Sequence, residues 1–214
     1  PVQAVQGMCV PTYIAEEYNI TSIEDLTVPE KMAIFDFDGN GTPEVWIGAP
    51  GWASTSIERI RARSYGYDEV MDLQEYDGSV AWGALGTAVA ANEPWIGFCY
   101  DPHFIFVAYD LTVLDEPAHD PDTWTIIQPT DDPAWLENSQ ASTAWKGATL
   151  HLHYAASVRS DYPEVAAMFD AYQMPAAAIS EMGFALSVQS EDAAEFARRW
   201  VDENEEVVLS WLLN

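Results

Sequence analysis

Two short aromatic turns carry the residue types best suited to binding: Pro50-Gly51-Trp52-Ala53-Ser54, which opens a helix, and Gly97-Phe98-Cys99-Tyr100-Asp101-Pro102-His103, which follows an apolar run. The face of an indole or phenol ring attracts an alkylated ammonium that no hydrogen-bond donor can reach. The first amides of a helix lack intrahelical partners and sit at the positive end of its dipole, so Ala53 and Ser54 are placed to grip a negative group. Gly51 lets the backbone turn so that Trp52 projects. Tyr100 falls at the carboxyl end of a predicted buried strand, where open α/β sheets bind their ligands. Together these residues predict a pocket for a small methylated cation that also bears a negative group. Each has a plainer reading: Trp52 as the lid of a core, the amides as solvated, and Tyr100 as a core aromatic at a strand end.

A second candidate is the loop Asp36-Phe37-Asp38-Gly39-Asn40-Gly41-Thr42-Pro43-Glu44. Oxygen-bearing residues at alternate positions (Asp36, Asp38, Asn40, Thr42), glycines for a tight turn and the further carboxylate of Glu44 resemble the first part of a calcium loop. Ile47 stands where the bidentate Glu would be, and an Asx-type surface turn explains the same residues. Calcium, if bound, would be structural; no other cofactor is expected. His151 and His153 alternate on a presumed strand and share one face, but no third ligand has a recognisable spacing. Asp101 and His103 could form an acid–base pair, yet neither a Gly-x-Ser-x-Gly nucleophile motif nor a phosphate loop is present, so the sequence does not support an enzyme.

The chain that must position these residues has 214 of them, about half apolar, enough for one large or two modest domains with a buried core. Eight basic residues against 35 acidic ones give a net charge of -27, which repels nucleic acid and anionic lipid and excludes both as expected partners. The charge is scattered, as at Glu16-Glu17 and Asp131-Asp132, in the manner of a solvated acidic surface suited to a salty habitat. There is no apolar run long enough to insert into a membrane. The chain begins at Pro1, which points to a processed or trimmed product. Cys9 and Cys99 are the only cysteines, and the sequence leaves open whether they pair or stay free and buried.

Hydrophobic patterning predicts a helix over about 10–18, a capped start with Thr21 and Glu24 as its box, and short buried strands at 33–35 and 45–48. It predicts a helix over 54–62 with Thr55 and Glu58 as another capping box, a strand at 70–73, a small-residue helix over 78–91 and a central strand over 95–100. Alternation of strands and helices argues for an α/β layered domain. From Asp110 to Ala148, prolines punctuate a loop-rich stretch holding Trp124, Trp135 and Trp145. Strand-like alternation returns at 149–155. Then come a helix capped by Asp161 with Pro163 in its first turn, another starting at Pro175, and a last one over about 191–213 with Phe196, Trp200, Val207 and Trp211 inward.

The two turns occur in the same order in the glycine betaine and choline class of ABC-transporter substrate-binding proteins, which this chain resembles over nearly all its length. The likeness runs from Ala4-Val5-Gln6-Gly7 and the segment Val10 to Tyr18, through Ser22-Ile23-Glu24-Asp25-Leu26 and Phe35 to Gly41, to Pro50-Gly51-Trp52, the Gly97 to His103 turn and the helical tail. The resemblance implies a type II periplasmic-binding-protein-like α/β fold, with residues 1–146 as a complete second lobe and 147–214 as the returning helical C-terminal segment of a first lobe whose N-terminal part is absent. It implies that Trp52 is one wall of an aromatic cage, that Ala53 and Ser54 give amides to the ligand's carboxylate, and that Tyr100 is another wall where the family commonly has Trp. Gly51 and His103 would support that pocket. The implied protein is the periplasmic, or otherwise extracytoplasmic, component of an ABC importer. It would capture a methylated ammonium or sulfonium solute such as glycine betaine, choline or trimethylamine N-oxide, close its lobes over it and deliver it to a transmembrane permease subunit. The alternative from another class is a calcium-dependent protein-interaction module organised by the Asp36 loop, with the aromatics as core.

Overall fold

The computed structural model describes residues 2–212, which form two compact units. The larger consists of residues 6–100 and 109–146, and the other of the described residues of 1–5, 101–108 and 147–214.

In chain order come β1 (Val2–Pro11), α1 (Thr12–Tyr18), α2 (Pro29–Met32), β2 (Glu44–Gly48), α3 (Ala53–Tyr65), β3 (Asp72–Glu75), α4 (Gly78–Ala91) and β4 (Gly97–Asp101). They are followed by α5 (Ile105–Ala108), β5 (Leu111–Val113), β6 (Trp124–Thr125), α6 (Trp135–Asn138) and β7 (Gln140–Ala141). The main sheet of the larger unit has the order β3-β2-β4-β1-β5. β2 runs parallel to β3 and β4, and β5 is antiparallel to β1. This is the α/β class expected, with β4 at the centre.

The burial pattern of β1 explains why hydrophobic periodicity does not reveal it. Its first half alternates between partly buried and exposed, whereas Gly7 to Pro11 are buried without interruption. A strand with neighbours on both edges and cover on both faces loses its period-two signature. Val10 and Pro11 therefore end a strand instead of starting α1. Met8, Cys9, Val10, Val45, Trp46, Ile47, Phe98 and Cys99 form the middle of the core, each at most 2% exposed. Cys9 and Cys99 are joined in a disulfide that ties β1 to β4 across 90 positions of sequence.

Several local expectations are corrected. Residues 33–35 form a 3-10 turn and not a strand. The early cap is Ser22, whose side chain accepts from Glu24 N while Asp25 closes the box on the Thr21 and Ser22 amides. Thr55 lies inside α3, where its hydroxyl donates to Ala49 O at 2.7 Å, so it caps nothing. α4 matches its predicted bounds because both ends are written in the sequence: Asp77 accepts from Ser79 N at 2.8 Å, and Asn92 takes the left-handed conformation that stops a helix.

In the other unit β8 (Ala148–Leu150) pairs antiparallel with Val2–Ala4. Helices α7 (Val158–Asp161), α8 (Pro163–Ala171), α9 (Ala176–Ser187), α10 (Ala193–Glu203) and α11 (Glu205–Leu212) follow. Asp161 ends α7 instead of capping α8, which begins at Pro163 with no side-chain cap. The single helix expected over 191–213 is two, α10 being capped by Asp192. Its described core gathers Met174, Ala178, Ala185, Phe196 and Trp200, with Tyr172 and Trp211 against it. Val207, expected inward, is 37% exposed.

Candidate ligand-binding site

Trp52 and Tyr100 are 48 positions apart in sequence but end adjacent strands of one sheet. β2 and β4 are parallel neighbours in register at Trp46 and Gly97, so the turn leaving β2 and the last residues of β4 emerge at the same edge. The turn is forced by its backbone. Gly48 has φ +128° and a Cβ there would fall 2.3 Å from Thr55 Oγ1, so only glycine lets α3 close on the strand end. Trp52 N and the Thr55 hydroxyl both donate to Ala49 O, and Thr55 N donates to Trp52 O. Trp52 thereby stands as the N-cap residue of α3 with no side-chain cap hydrogen bond, and Ala53 and Ser54 are the first two helical residues. Gly51, at φ +85°, permits the bend before it.

The rings form a connected corner. Trp52 and Tyr100 lie 6.3 Å apart between centroids with planes at 75°, and both are partly exposed. Behind them Trp46, 2% exposed, stands edge-on to Trp52 at 5.9 Å and to Trp82 at 4.9 Å. Trp82 is in turn 6.2 Å from Tyr100. Burial pushes the Tyr100 phenol up from its ordinary pKa, so it is neutral and presents an uncharged π face near neutral pH. Gly78, at the start of α4, lets the Trp52 indole lie close, since a Cβ there would come 3.1 Å from Trp52 Cη2. Trp82 is the ring that sequence reasoning missed. It was absorbed into a small-residue helix, and its spacing of four from Gly78 was the cue that it shares the face meeting Trp52.

Tyr100 is itself braced from behind. Phe98 lies 6.1 Å from it and 6.0 Å from Trp145, and Trp145 Nε1 donates to Glu58 Oε1 at 2.6 Å. Glu58 is paired with Arg61 Nε at 2.9 Å, both side chains being fully buried, and Arg61 also pairs with Glu116 and donates to Thr143 O. The Arg61 guanidinium lies over the rings of Tyr65, Trp124 and Trp145. Burial opposes both charges. The carboxylates of Glu58 and Glu116 outweigh it at Arg61, which stays a cation, while burial pushes the Glu58 carboxyl up against the pull of Arg61. This ion cluster clips the proline-rich 110–146 excursion onto α3, the part of the chain that patterning could not resolve.

His103 belongs to the other unit. Its Nδ1 accepts from Ile105 N at 3.4 Å, its ring packs at 4.5 Å from Phe104, and burial holds its pKa down at about 4. Because the folded value lies below the ordinary 6.5, folding favours the neutral ring. Its contribution is complete above about pH 6.5 and is lost as pH falls towards 4. Denaturant unfolding of wild type and His103→Gln at about pH 7 and about pH 4.5 should show the wild type losing more stability between the two.

The loop at 36–44 is a set of Asx-type turns. Asp38 Oδ1 accepts from Asn40 N at 3.0 Å, Asp36 Oδ2 from Gly41 N at 3.0 Å and Asn40 Oδ1 from Thr42 N at 2.7 Å. Gly39 and Gly41 supply the positive φ values of +73° and +89°. Among the described residues no group of three or more His, Cys, Asp and Glu is gathered as a metal site. The rings of His151 and His153 lie 6.3 Å apart.

Residues 1–203 match the family model described as the substrate binding domain of ABC-type glycine betaine transport systems. A glycine betaine/proline betaine-binding periplasmic protein of Salmonella typhimurium is 22% identical over 102 residues, 48% of this chain and 31% of that one. Among solved structures, the glycine/betaine/L-proline-binding protein of a Borrelia burgdorferi ABC transporter superposes with a TM-score of 0.63 at 19% identity, covering 98% of this chain and 66% of its own. An ABC-transporter choline-binding protein in complex with choline gives 0.62 at 13% identity, covering 99% and 64%. The structural likeness is one of fold, and the chain spans about two thirds of the length of those solved structures.

Proposed function

Because this chain belongs to the family of substrate-binding domains of ABC-type glycine betaine transport systems, we propose that it captures a betaine-like methylated onium solute at Trp52, Ala53, Ser54 and Tyr100. The family is one of solute-binding proteins, and the chain is not an enzyme. The observation that carries the reading is the corner of Trp52 and Tyr100, 6.3 Å apart, built directly on the uncapped start of α3. A cation within about 6 Å of a ring face gains electrostatic attraction, and a carboxylate two bonds further on can reach helix-start amides. Gly51 supports the pocket in this proposal. Residues 1–146 are proposed as the second lobe of the binding protein, and 147–214 as the returning segment of the first.

A transmembrane ABC permease is the proposed protein partner, and a periplasmic or extracytoplasmic location the proposed setting. The disulfide favours an oxidising compartment, and among the described residues no helix is long and apolar enough to cross a membrane. A structural calcium at Asp36, Asp38, Asn40, Thr42 and Glu44 is a separate proposal on which the solute reading does not depend. The family match lends no support to a calcium-dependent interaction module.

Calorimetric titration with glycine betaine, choline, trimethylamine N-oxide and dimethylsulfoniopropionate tests the proposal. Binding of at least one methylated solute, with trimethyl-free glycine inert, is expected. Indifference to all four would overturn it.

A further inference from the structure

The larger unit holds a second aromatic hollow, which shares Trp46 with the backing of the Trp52 and Tyr100 corner. Its cavity of about 400 Å³ is within the size range of small-molecule sites and is lined by Phe37, Trp46, Tyr76, Trp95, Glu44 and Glu93 among others. Glu44 opens β2, and Glu93 and Trp95 precede β4. The second half of α4 completes the wall, through Ala84, Thr87 and Ala88, whereas the first residue of α4 meets Trp52. Glu44, Glu93 and Trp95 thus place one side of the hollow towards the amino ends of β2 and β4, while Trp46 in mid-strand and Tyr76 just after β3 carry it towards the Trp52 corner at the carboxyl ends.

Its floor is aromatic, with Trp46 and Trp95 at 2% and 3% exposure, and Phe37 stands at its margin with 51% of its surface open. Gly97 has to be glycine for this floor to exist, since a Cβ there would fall 2.7 Å from Trp95 Cη2 and 3.2 Å from Trp46 Cε3. Negative charge gathers at one side. Gln74 Nε2 donates to Glu44 at 3.3 Å and to Asp72 at 2.8 Å, and no ion pair among the described residues reaches Glu44. Aromatic faces together with uncompensated carboxylates favour a positive guest and repel a carboxylate.

We propose that this hollow is a second binding site, selective for small organic ammonium ions that carry no negative group. A zwitterion such as glycine betaine would bring its carboxylate against Glu44 and Glu93 and be rejected, so the two sites differ in ligand class. The proposal does not rest on the solute reading of the Trp52 corner, and the experiment keeps the two apart by using the Trp52→Ala variant.

The probe is tetramethylammonium chloride, titrated into calcium-free Trp52→Ala protein with sodium chloride at matched ionic strength as the reference, and followed by amide NMR. Saturable shifts are expected at the Gln74 side-chain amide and at the Thr87 and Glu93 backbone amides, with none from glycine betaine. Glu44→Gln and Phe37→Ala should each raise the apparent Kd by about fivefold, the loss of one charge or ring contact. Phe37 is exposed at the rim, so its removal leaves the fold in place to report. Equal shifts from sodium chloride, indifference of the Kd to both variants, or no shift at these amides would overturn the site.

Discussion

Replacing Trp52 by alanine is expected to weaken binding of the preferred methylated solute by about 30-fold, with little change in thermal stability. The magnitude follows from a cation held against a partly desolvated indole, which contributes about 2 kcal/mol. The separation of affinity from stability follows from exposure, because Trp52 is partly open at the helix start while Trp46 behind it carries the burial. Trp52→Phe should recover part of the loss, since a smaller π face remains. Calorimetry on the two variants reads the affinities and calorimetric melting reads the fold. Unchanged affinity in Trp52→Ala would remove the indole from the site, whatever the ligand panel shows for the wild type.

The second large effect belongs to Arg61. Arg61→Met should cost about 3–5 kcal/mol of folding stability, because it leaves the carboxylates of Glu58 and Glu116 buried without their cation. Methionine fills much of the same space and isolates charge from volume. Adding Glu58→Gln should return part of the loss, since a neutral amide is cheaper to bury and can still accept from Trp145 Nε1. Urea unfolding of the single and double variants gives the comparison. A single variant as stable as wild type would mean that the ion cluster is not what fastens residues 110–146 to α3.

Legibility in the sequence depended on whether a segment's instructions were local. α4 could be read because its cap Asp77, its stop Asn92 and its small residues all lie within the helix and its ends. The turn before Trp52 was legible for the same reason, Gly51 and the helix start being contiguous. The Ala33-Ile34-Phe35 run misled because three apolar residues fit a buried strand and a buried 3-10 turn equally well, and only the chain before and after decides. Thr55 and Glu58 fit a capping box locally, whereas the real partners of Glu58, Arg61, Trp145 and Tyr67, include two that no local pattern points to. Trp82 joined the aromatic corner through β2 and β4, a neighbourhood fixed by sheet order. The long final helix was divided because Asn204 receives the end of α10 and α11 starts anew at Glu205.

The bond between Cys9 and Cys99 closes a loop of about 90 residues, and loop-closure reasoning assigns such a cross-link about 4–5 kcal/mol through the entropy it removes from the unfolded chain. Newly made polypeptide with both thiols reduced therefore starts with a smaller margin against unfolding than the finished molecule. Oxidation adds a covalent tie between the first strand and the strand bearing Tyr100, beside the pairing and packing that already hold them together.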